Sequence, residues 1–223
     1  MNKLITILAL MIASLGFSAA NAGQFGLGVS GSIASIDASG TEADKDGTAD
    51  SSLRKASAGN NAMVGSIFAE YSFDNGFTIG VDHIPGEADV SNSTITRTDD
   101  SAESAQDGNR SANAHIDNHM TYYAELPIHA GLYVKAGMLE MDVTADESDT
   151  VTTAGSYGTV SIDGEMWGIG YKNSFGNNGF YKVEATKRTY DSITLNSTTS
   201  DKGNKITADV DATLATFALG FNF

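Results

Sequence analysis

The chain has 223 residues, a formal net charge of −15, no cysteine, two prolines and 24 glycines. Without cysteine, disulfides, thiolate metal sites and cysteine nucleophiles are excluded. The excess of acid argues against a nucleic-acid partner, because such a protein must neutralise phosphates with Lys and Arg. Scarce proline together with abundant glycine favours long strands joined by flexible turns over helical domains.

The N-terminal segment has the layout of a cleavable secretory signal. After a positive start, Leu4–Phe17 is almost entirely apolar, and small residues follow at Ala20 and Ala22 in an A-x-A arrangement. The apolar run is shorter than the about 20 residues that a transmembrane helix needs. We therefore expect cleavage after Ala22, so that 1–22 is a signal peptide and 23–223 is the mature domain.

Apolar and polar residues then alternate with period two in eight segments, which is the pattern of half-buried strands. In chain order, the predicted strands lie near residues 25–33, 62–73, 77–82, 118–126, 132–138, 166–172, 181–186 and 214–223. Between the second and third segments, Asn75-Gly76 is a strong signal for a tight hairpin turn.

The connections between these segments alternate in length. Short turns are predicted near 74–76, 127–130 and 176–179. Long connections, rich in acidic and small polar residues, are predicted near 37–60, 85–116, 142–160 and 191–206. An even strand number with short turns at one end and long loops at the other is typical of outer-membrane barrels. The sequence therefore predicts an all-β fold, an eight-stranded antiparallel up-and-down transmembrane β-barrel, which closes because lipid offers no hydrogen-bond partners.

The polar face of the predicted strands carries charges of both signs. The expected inward charges are Glu70, Asp82, Glu125, Glu184, Lys135, Lys172, Lys182 and Arg188. Their charges sum to zero, which suits a narrow interior, because an unpaired charge in a confined space is costly. Eight strands leave an interior that side chains just fill. We therefore interpret this set as an ion network that fills the barrel rather than as the lining of a channel.

Aromatic residues gather where the predicted strands meet the short turns. The set is Phe73, Phe77, Phe175, Tyr181, Phe221 and Phe223. Aromatic girdles mark the two interfaces of membrane barrels. We interpret this set as one girdle and Trp167 as a candidate for the opposite one.

The last predicted strand alternates large apolar residues with small or polar ones and ends in Phe. This pattern resembles the C-terminal β-signal of outer-membrane proteins, carried here by Phe217, Leu219, Gly220, Phe221 and Phe223. Together with the secretory signal, the chain resembles the small OmpA/OmpX-type barrels of the Gram-negative cell envelope. The resemblance implies a place in the outer membrane, contact with its lipid and lipopolysaccharide, and assembly by periplasmic chaperones and the outer-membrane assembly machinery. The chain departs from the full-length OmpA type in one respect, because we expect no periplasmic peptidoglycan-binding domain after the barrel, which ends at Phe223.

Candidate metal ligands are few and poorly placed in the sequence. The segment Glu42–Gly47 mimics the start of an EF-hand loop, but Leu53 stands where the bidentate Glu belongs. On a regular strand, His115 and His119 would share a face roughly 13 Å apart, which is too far for one metal ion. We therefore expect no metal site and no cofactor, with weak association of divalent cations on the acidic loops as an alternative.

The sequence favours a structural or surface-interaction protein of the outer membrane, whose acidic loops face outward. The main alternative is a small, porin-like pore of low conductance for ions or small solutes. A lipid-modifying barrel enzyme would need a Ser-His-acid set, which cannot be assigned, so no enzyme is expected. A soluble lipocalin-like binder would need an apolar interior and a polar exterior, the reverse of the predicted faces.

Overall fold

The computed structural model describes residues 23–43, 54–89, 95–99, 108–149, 157–196 and 205–223. The predicted signal segment 1–22 and most of the EF-hand-like motif lie outside the described residues. The strands are β1 (Gln24–Ala43), β2 (Arg54–Ser72), β3 (Thr78–Ile84), β4 (Ala88–Asp89), β5 (Ile95–Asp99), β6 (Gly108–His129), β7 (Leu132–Asp149), β8 (Thr159–Phe175), β9 (Gly179–Tyr190), β10 (Ile193–Asn196) and β11 (Lys205–Asn222). In these ranges no helix is long and apolar enough to cross a membrane.

The strands form one antiparallel sheet that closes on itself. The order is β1-β2-β3-β6-β7-β8-β9-β11, and β11 pairs back onto β1 from Asn222↔Gly26 to Lys205↔Ala43. Beyond the end of β3, β4 and β5 continue the pairing along β6, and β10 likewise continues β9 along β11. The wall therefore has eight strands, two of them interrupted. The predicted eight-stranded antiparallel up-and-down barrel is confirmed.

Three tight turns join β2 to β3, β6 to β7 and β8 to β9 at one end of the barrel, called here the short-turn end. In the first of them, Phe73 N donates to Phe77 O over 2.8 Å, and Gly76 has a φ of 84°, as the predicted hairpin turn requires. In the second, Ala130 and Gly131 have φ values of 50° and 86°. Positive φ at both central residues gives the turn a twist that matches the flanking strands.

At the opposite end, called the far end, the strands run much farther than predicted. β1 continues to Ala43 and β2 begins at Arg54, although the sequence analysis places a loop over 37–60. β6 and β7 extend in the same way and reach 22 and 18 residues. Crossing a membrane takes only about 9–11 residues of strand. The predicted loop bounds are wrong because the alternation continues past this length, with apolar residues now on the inward face and polar residues on the outward face.

This reversal occurs part-way along four of the long strands. In β7 the outward side chain changes from Met138 to Glu140, while the inward side chain changes from Lys135 to the buried Leu139 and Met141. The same exchange occurs in β1, β8 and β11. The short-turn half thus has the faces of a membrane barrel, and the far half has those of a water-soluble barrel.

Exposed apolar side chains form a band around the outside of the short-turn half. Their exposed fractions run from 39% to 87% for Phe25, Leu27, Val29, Ile33, Met63, Ile67, Leu126, Val134, Met138, Trp167, Ile169, Val183, Phe217 and Leu219. An apolar band of this kind would be costly in water but suits contact with lipid hydrocarbon.

The interior of the far half is a packed apolar core. Its larger aliphatic members include Ile36, Leu139, Met141, Val143, Ile162, Met166, Ile193, Val210 and Leu214. A second, smaller apolar cluster of Phe68, Phe180 and Ala218 lies in the short-turn half, beside the charged side chains of the interior. Side chains therefore fill both halves of the barrel.

Candidate functional site

Six charged side chains from β2, β6, β7, β8 and β9 meet inside the short-turn half of the barrel. Each occupies an inward position of its strand, because inward and outward residues alternate. They form a continuous series of opposite charges in the order Lys172, Glu70, Lys182, Glu125, Lys135 and Glu184. This set, called the lumen charge cluster, contains three bases and three acids and is neutral overall.

Lys182 lies at the centre of the cluster and is 2% exposed. Its Nζ contacts Glu70 Oε2 and lies 2.6 Å from Glu125 Oε1. On the other side of Glu70, Lys172 Nζ lies 2.7 Å from the second carboxylate oxygen. One ammonium group is thus shared by two carboxylates, and one carboxylate by two ammonium groups.

Lys135 and Glu184 form the other end of the cluster. Lys135 Nζ lies 2.8 and 3.0 Å from the two Glu184 oxygens, and 3.8 Å from Glu125 Oε1. Two tyrosines complete the carboxylate contacts: Tyr133 donates to Glu184 over 2.5 Å, and Tyr123 donates to Glu70 over 3.0 Å. The buried charges therefore have both ionic and hydrogen-bonding partners, which burial of an ion pair requires.

Aromatic rings close the space beside the cluster. Phe180 is fully buried, its ring centroid lies 6.1 Å from that of Phe68, and Lys172 Nζ lies 4.4 Å above it. The inward glycines make room for these rings, since a Cβ on Gly28 would collide with Phe68 and one on Gly220 with Phe180. Small inward residues therefore admit aromatic side chains at these positions.

Two of the eight residues of the predicted network lie outside the cluster. Asp82 accepts a hydrogen bond from Ser66 over 2.6 Å. Arg188 Nη1 lies 3.2 Å from His119 Nε2. The distance along β9 explains this placement, because four residues separate Arg188 from Glu184, which is about 13 Å in a strand. The structure thus brings six of the eight predicted charges together.

His119 is an inward residue that the sequence analysis did not place in the lumen. It is 5% exposed, and Tyr190 OH lies 2.9 Å from its Nε2. A β-bulge shifts the register of β6 between Asp117 and Met120. His119 therefore points inward while His115 lies on the outward face. The prediction that these two histidines share a face is wrong for this reason.

Four residues of the predicted β-signal lie on β11, which closes the barrel, and the fifth, Phe223, directly follows it. Phe217, Leu219, Phe221 and Phe223 are exposed on the outward face, and Gly220 faces inward. The backbone N–H of Phe223 donates to the carbonyl of Phe25 over 2.8 Å, so the pairing with the first strand reaches the last residue. Their role as a signal stays a prediction.

The aromatic residues of the first predicted girdle lie around the short-turn end. Ring centroids are 5.6 Å apart for Phe73 and Phe77 and 6.5 Å apart for Tyr181 and Phe217. Phe175 is likewise exposed at the end of β8. Trp167 lies eight residues from Phe175 on the same strand, beside the reversal of polarity. Eight residues of a tilted strand span about 20 Å, close to the height of an outer-membrane apolar band.

No family model matches the sequence, and no curated protein matches it. Among solved structures, the outer membrane protein OprG from Pseudomonas aeruginosa aligns with a TM-score of 0.52 at 12% identity, over 91% of this chain and 97% of OprG. The chain has the fold of an eight-stranded outer-membrane β-barrel.

Two other solved structures are also similar to this barrel. Neisserial surface protein A aligns with a TM-score of 0.41 at 11% identity, over 89% of this chain and 97% of that protein. The outer membrane protease OmpT from Escherichia coli aligns with a TM-score of 0.48 at 8% identity, over 90% and 97%. At 12% identity, the similarity to OprG shows the fold alone.

Proposed function

We propose that this chain is a structural or surface-interaction barrel of the bacterial outer membrane, with a closed lumen. The observation that carries the proposal is that the interior is filled at two levels. The lumen charge cluster and its aromatic rings fill the short-turn half, and the apolar core fills the far half. The exposed apolar band supports placement in a membrane, and the fold shared with OprG supports the outer membrane.

The surface available for interaction is the outward face of the far half. Beyond the apolar band, its acidic residues include Asp37, Glu140, Asp142, Asp163, Glu165, Asp209 and Asp211. Basic residues on the same face include Lys55 and Lys187. An acidic surface of this kind attracts basic partners and cations, and repels anionic ones at low ionic strength. We infer that contacts with molecules outside the cell are made by this extension of the barrel as well as by the loops.

A pore of low conductance is the second candidate, because charged side chains line the interior. In this barrel, however, the six cluster charges are bonded to one another, and an ion would have to separate them to pass. The apolar core adds a second barrier, since a dry apolar segment holds no water to solvate an ion.

Conductance of the refolded protein in planar bilayers distinguishes these two functions. The closed barrel should give no steady current, whereas the pore should give discrete openings at the single-molecule level. Lys182→Ala serves as a comparison: it should increase leakage if the cluster alone closes the lumen, and should leave the barrel closed if the apolar core is a sufficient second barrier. Steady openings from the parent protein would overturn the closed-lumen proposal and favour the pore.

We infer that the protein is not an enzyme. Three buried or half-buried groups of the kinds that a Ser-His-acid mechanism would use do not form such a set: Ser66 donates to Asp82, whereas His119 contacts Tyr190 and Arg188. Nucleophilic catalysis needs the base within hydrogen-bond reach of the nucleophile. Release of acyl chains from membrane lipid by the purified protein would contradict this inference.

We also propose that the outward residues of β11 are read by the assembly machinery, which would pair with an exposed strand edge and bind alternate side chains. Replacing both Phe221 and Phe223 by Ser should leave the protein secreted but reduce its outer-membrane yield. Phe25→Ser is the matched control, because Phe25 is similarly exposed at the same end but lies on β1. An equal loss of yield in the control would assign the effect to lipid contact and contradict the signal.

A further inference from the structure

One imidazole and two carboxylates converge on the outside of the barrel wall. One ligand atom each of Glu87, His115 and Asp117 lies within 4.8 Å of the others. Glu87 immediately precedes β4, and Ala88 of β4 pairs with Ile116 of β6. Since Ile116 packs against the apolar core, its neighbours His115 and Asp117 face outward beside Glu87.

The β-bulge of β6 creates this arrangement. Its residue Asn118 has a φ of 49°, which is uncommon for a residue other than glycine. Without the bulge, His115 would lie on the inward face with His119. Asn118 Nδ2 donates to Asp117 Oδ1 over 3.2 Å and to Asp142 Oδ2 over 3.0 Å, which orients the Asp117 carboxylate. Bulges often re-aim side chains at functional sites, and outer-shell hydrogen bonds orient metal-binding carboxylates.

We propose that Glu87, His115 and Asp117 bind one divalent ion of a first-row transition metal, with Zn²⁺ as the probe. An imidazole nitrogen and two carboxylate oxygens form a three-ligand set that leaves one position open. The imidazole selects against Ca²⁺ and Mg²⁺, which take oxygen ligands. Around Zn²⁺, bonds of 2.0–2.2 Å place ligand atoms about 3.4 Å apart. Glu87 is exposed between two strands, so rotation of its side chain brings its carboxylate closer to the other two ligand atoms.

Such an ion would stabilise the barrel wall where β4 pairs with β6. β4 pairs with β6 through only two residue pairs, Ala88↔Ile116 and Asp89↔His115. Because Glu87 belongs to the segment before β4 while His115 and Asp117 belong to β6, a shared ion would cross-link these two parts of the chain. Amide exchange of residues 87–89 should therefore slow when the ion is bound.

Calorimetric titration of the folded full-length barrel in detergent with Zn²⁺ tests the proposal. We expect one ion per chain, and binding at least about tenfold weaker in His115→Ala, Asp117→Asn and Glu87→Gln. The exposed position of Glu87 makes Glu87→Gln a variant that folds. His129→Ala, which changes a histidine at the short-turn end, should bind like the parent.

Three results would overturn the proposal. They are a parent protein that binds no Zn²⁺, a Glu87→Gln variant that binds as tightly as the parent in the same folded state, and displacement of Zn²⁺ by an excess of Mg²⁺. The last result would show a site made by carboxylate oxygens alone. Retention of Zn²⁺ against Mg²⁺, together with loss in all three ligand variants, would establish the metal class and the ligand set.

Discussion

Lys182 is the residue on which the lumen charge cluster depends most, because Glu70 and Glu125 share its ammonium group. Replacing it by Met would keep much of the side-chain volume but leave two buried carboxylates next to each other. Loss of one member of a buried ion pair costs about 3–5 kcal/mol, since the remaining charge is left uncompensated. We therefore expect Lys182→Met to lower the free energy of unfolding by about this amount, measured by urea titration in detergent.

Lys187→Met is the matched control for this variant. Lys187 lies on the same strand but is exposed on the outward face. A change at an exposed site of this kind typically costs within about 0.5 kcal/mol. Equal stability of both variants and the parent would mean that the cluster is open to water. A conducting pore would then be favoured over a closed lumen.

Gly220 makes room for a buried ring, and its replacement tests how tightly the short-turn half is filled. A Cβ at this position would collide with Phe180, whereas a Cβ on Gly31 would meet nothing within 4 Å. Overpacking of a filled interior costs about 1–3 kcal/mol. We expect Gly220→Ala to lower the unfolding midpoint clearly, Gly31→Ala to change it little, and Phe180→Leu to restore part of the loss. A Gly220→Ala barrel as stable as the parent would contradict a filled lumen.

Sequence alone identified the charges but not all of their partners. Period-two alternation predicts which residues face inward, and it placed all six cluster members correctly. Which acid meets which base depends on the stagger of strands that are distant in the chain, such as β2 and β9. The contact between Arg188 and His119 depends in addition on the bulge in β6, which no local pattern reveals. The metal-ligand trio was missed for the same reason.

At the scale of an element, β11 contains both kinds of barrel wall. Its outward residues are apolar from Phe223 to Phe217 and polar at Thr213, Asp211 and Asp209. Only the apolar part matches the strand predicted from the sequence, because beyond Ala215 the apolar residues change from the outward face to the inward face. The continuation toward the far end has the same period with apolar residues inward, and this pattern by itself also fits a soluble barrel.

The reversal in β11 predicts opposite responses to the same substitution on the same face of one strand. Leu219→Arg should destabilise the barrel by roughly 2–4 kcal/mol if it lies near the bilayer midplane, because arginine is poorly solvated by lipid. Asp211→Arg should be close to neutral, since this outward site lies beyond the apolar band. Unfolding in lipid vesicles measures both. Equal costs at the two positions would contradict the assigned membrane boundary.

For the whole molecule, strand number, antiparallel order and closure followed from alternation, turn signals and the alternating lengths of the connections. The height of the barrel did not follow from these patterns. Membrane thickness limits only the height of the apolar band, and the strands can continue beyond it. Backbone pairing between β1 and β11 extends from Gly26↔Asn222 to Ala43↔Lys205. The protein is therefore a barrel whose short-turn half has an apolar outer face and charge pairs inside, and whose far half has a polar outer face and an apolar core inside.

These two halves should open separately, and amide hydrogen exchange in lipid vesicles can show it. The parent protein should protect the amides of β1 in both halves, since the ladder to β11 spans them. Ile36→Asp places a charge in the apolar core and should increase exchange in the far half by at least about tenfold, while amides near Leu27 stay protected. Ser35→Asp adds the same charge on the outward face and should change neither half. If the far-half amides of the parent exchange as fast as an unstructured loop, or if Ile36→Asp exposes both halves together, the far half is not a separate folded extension.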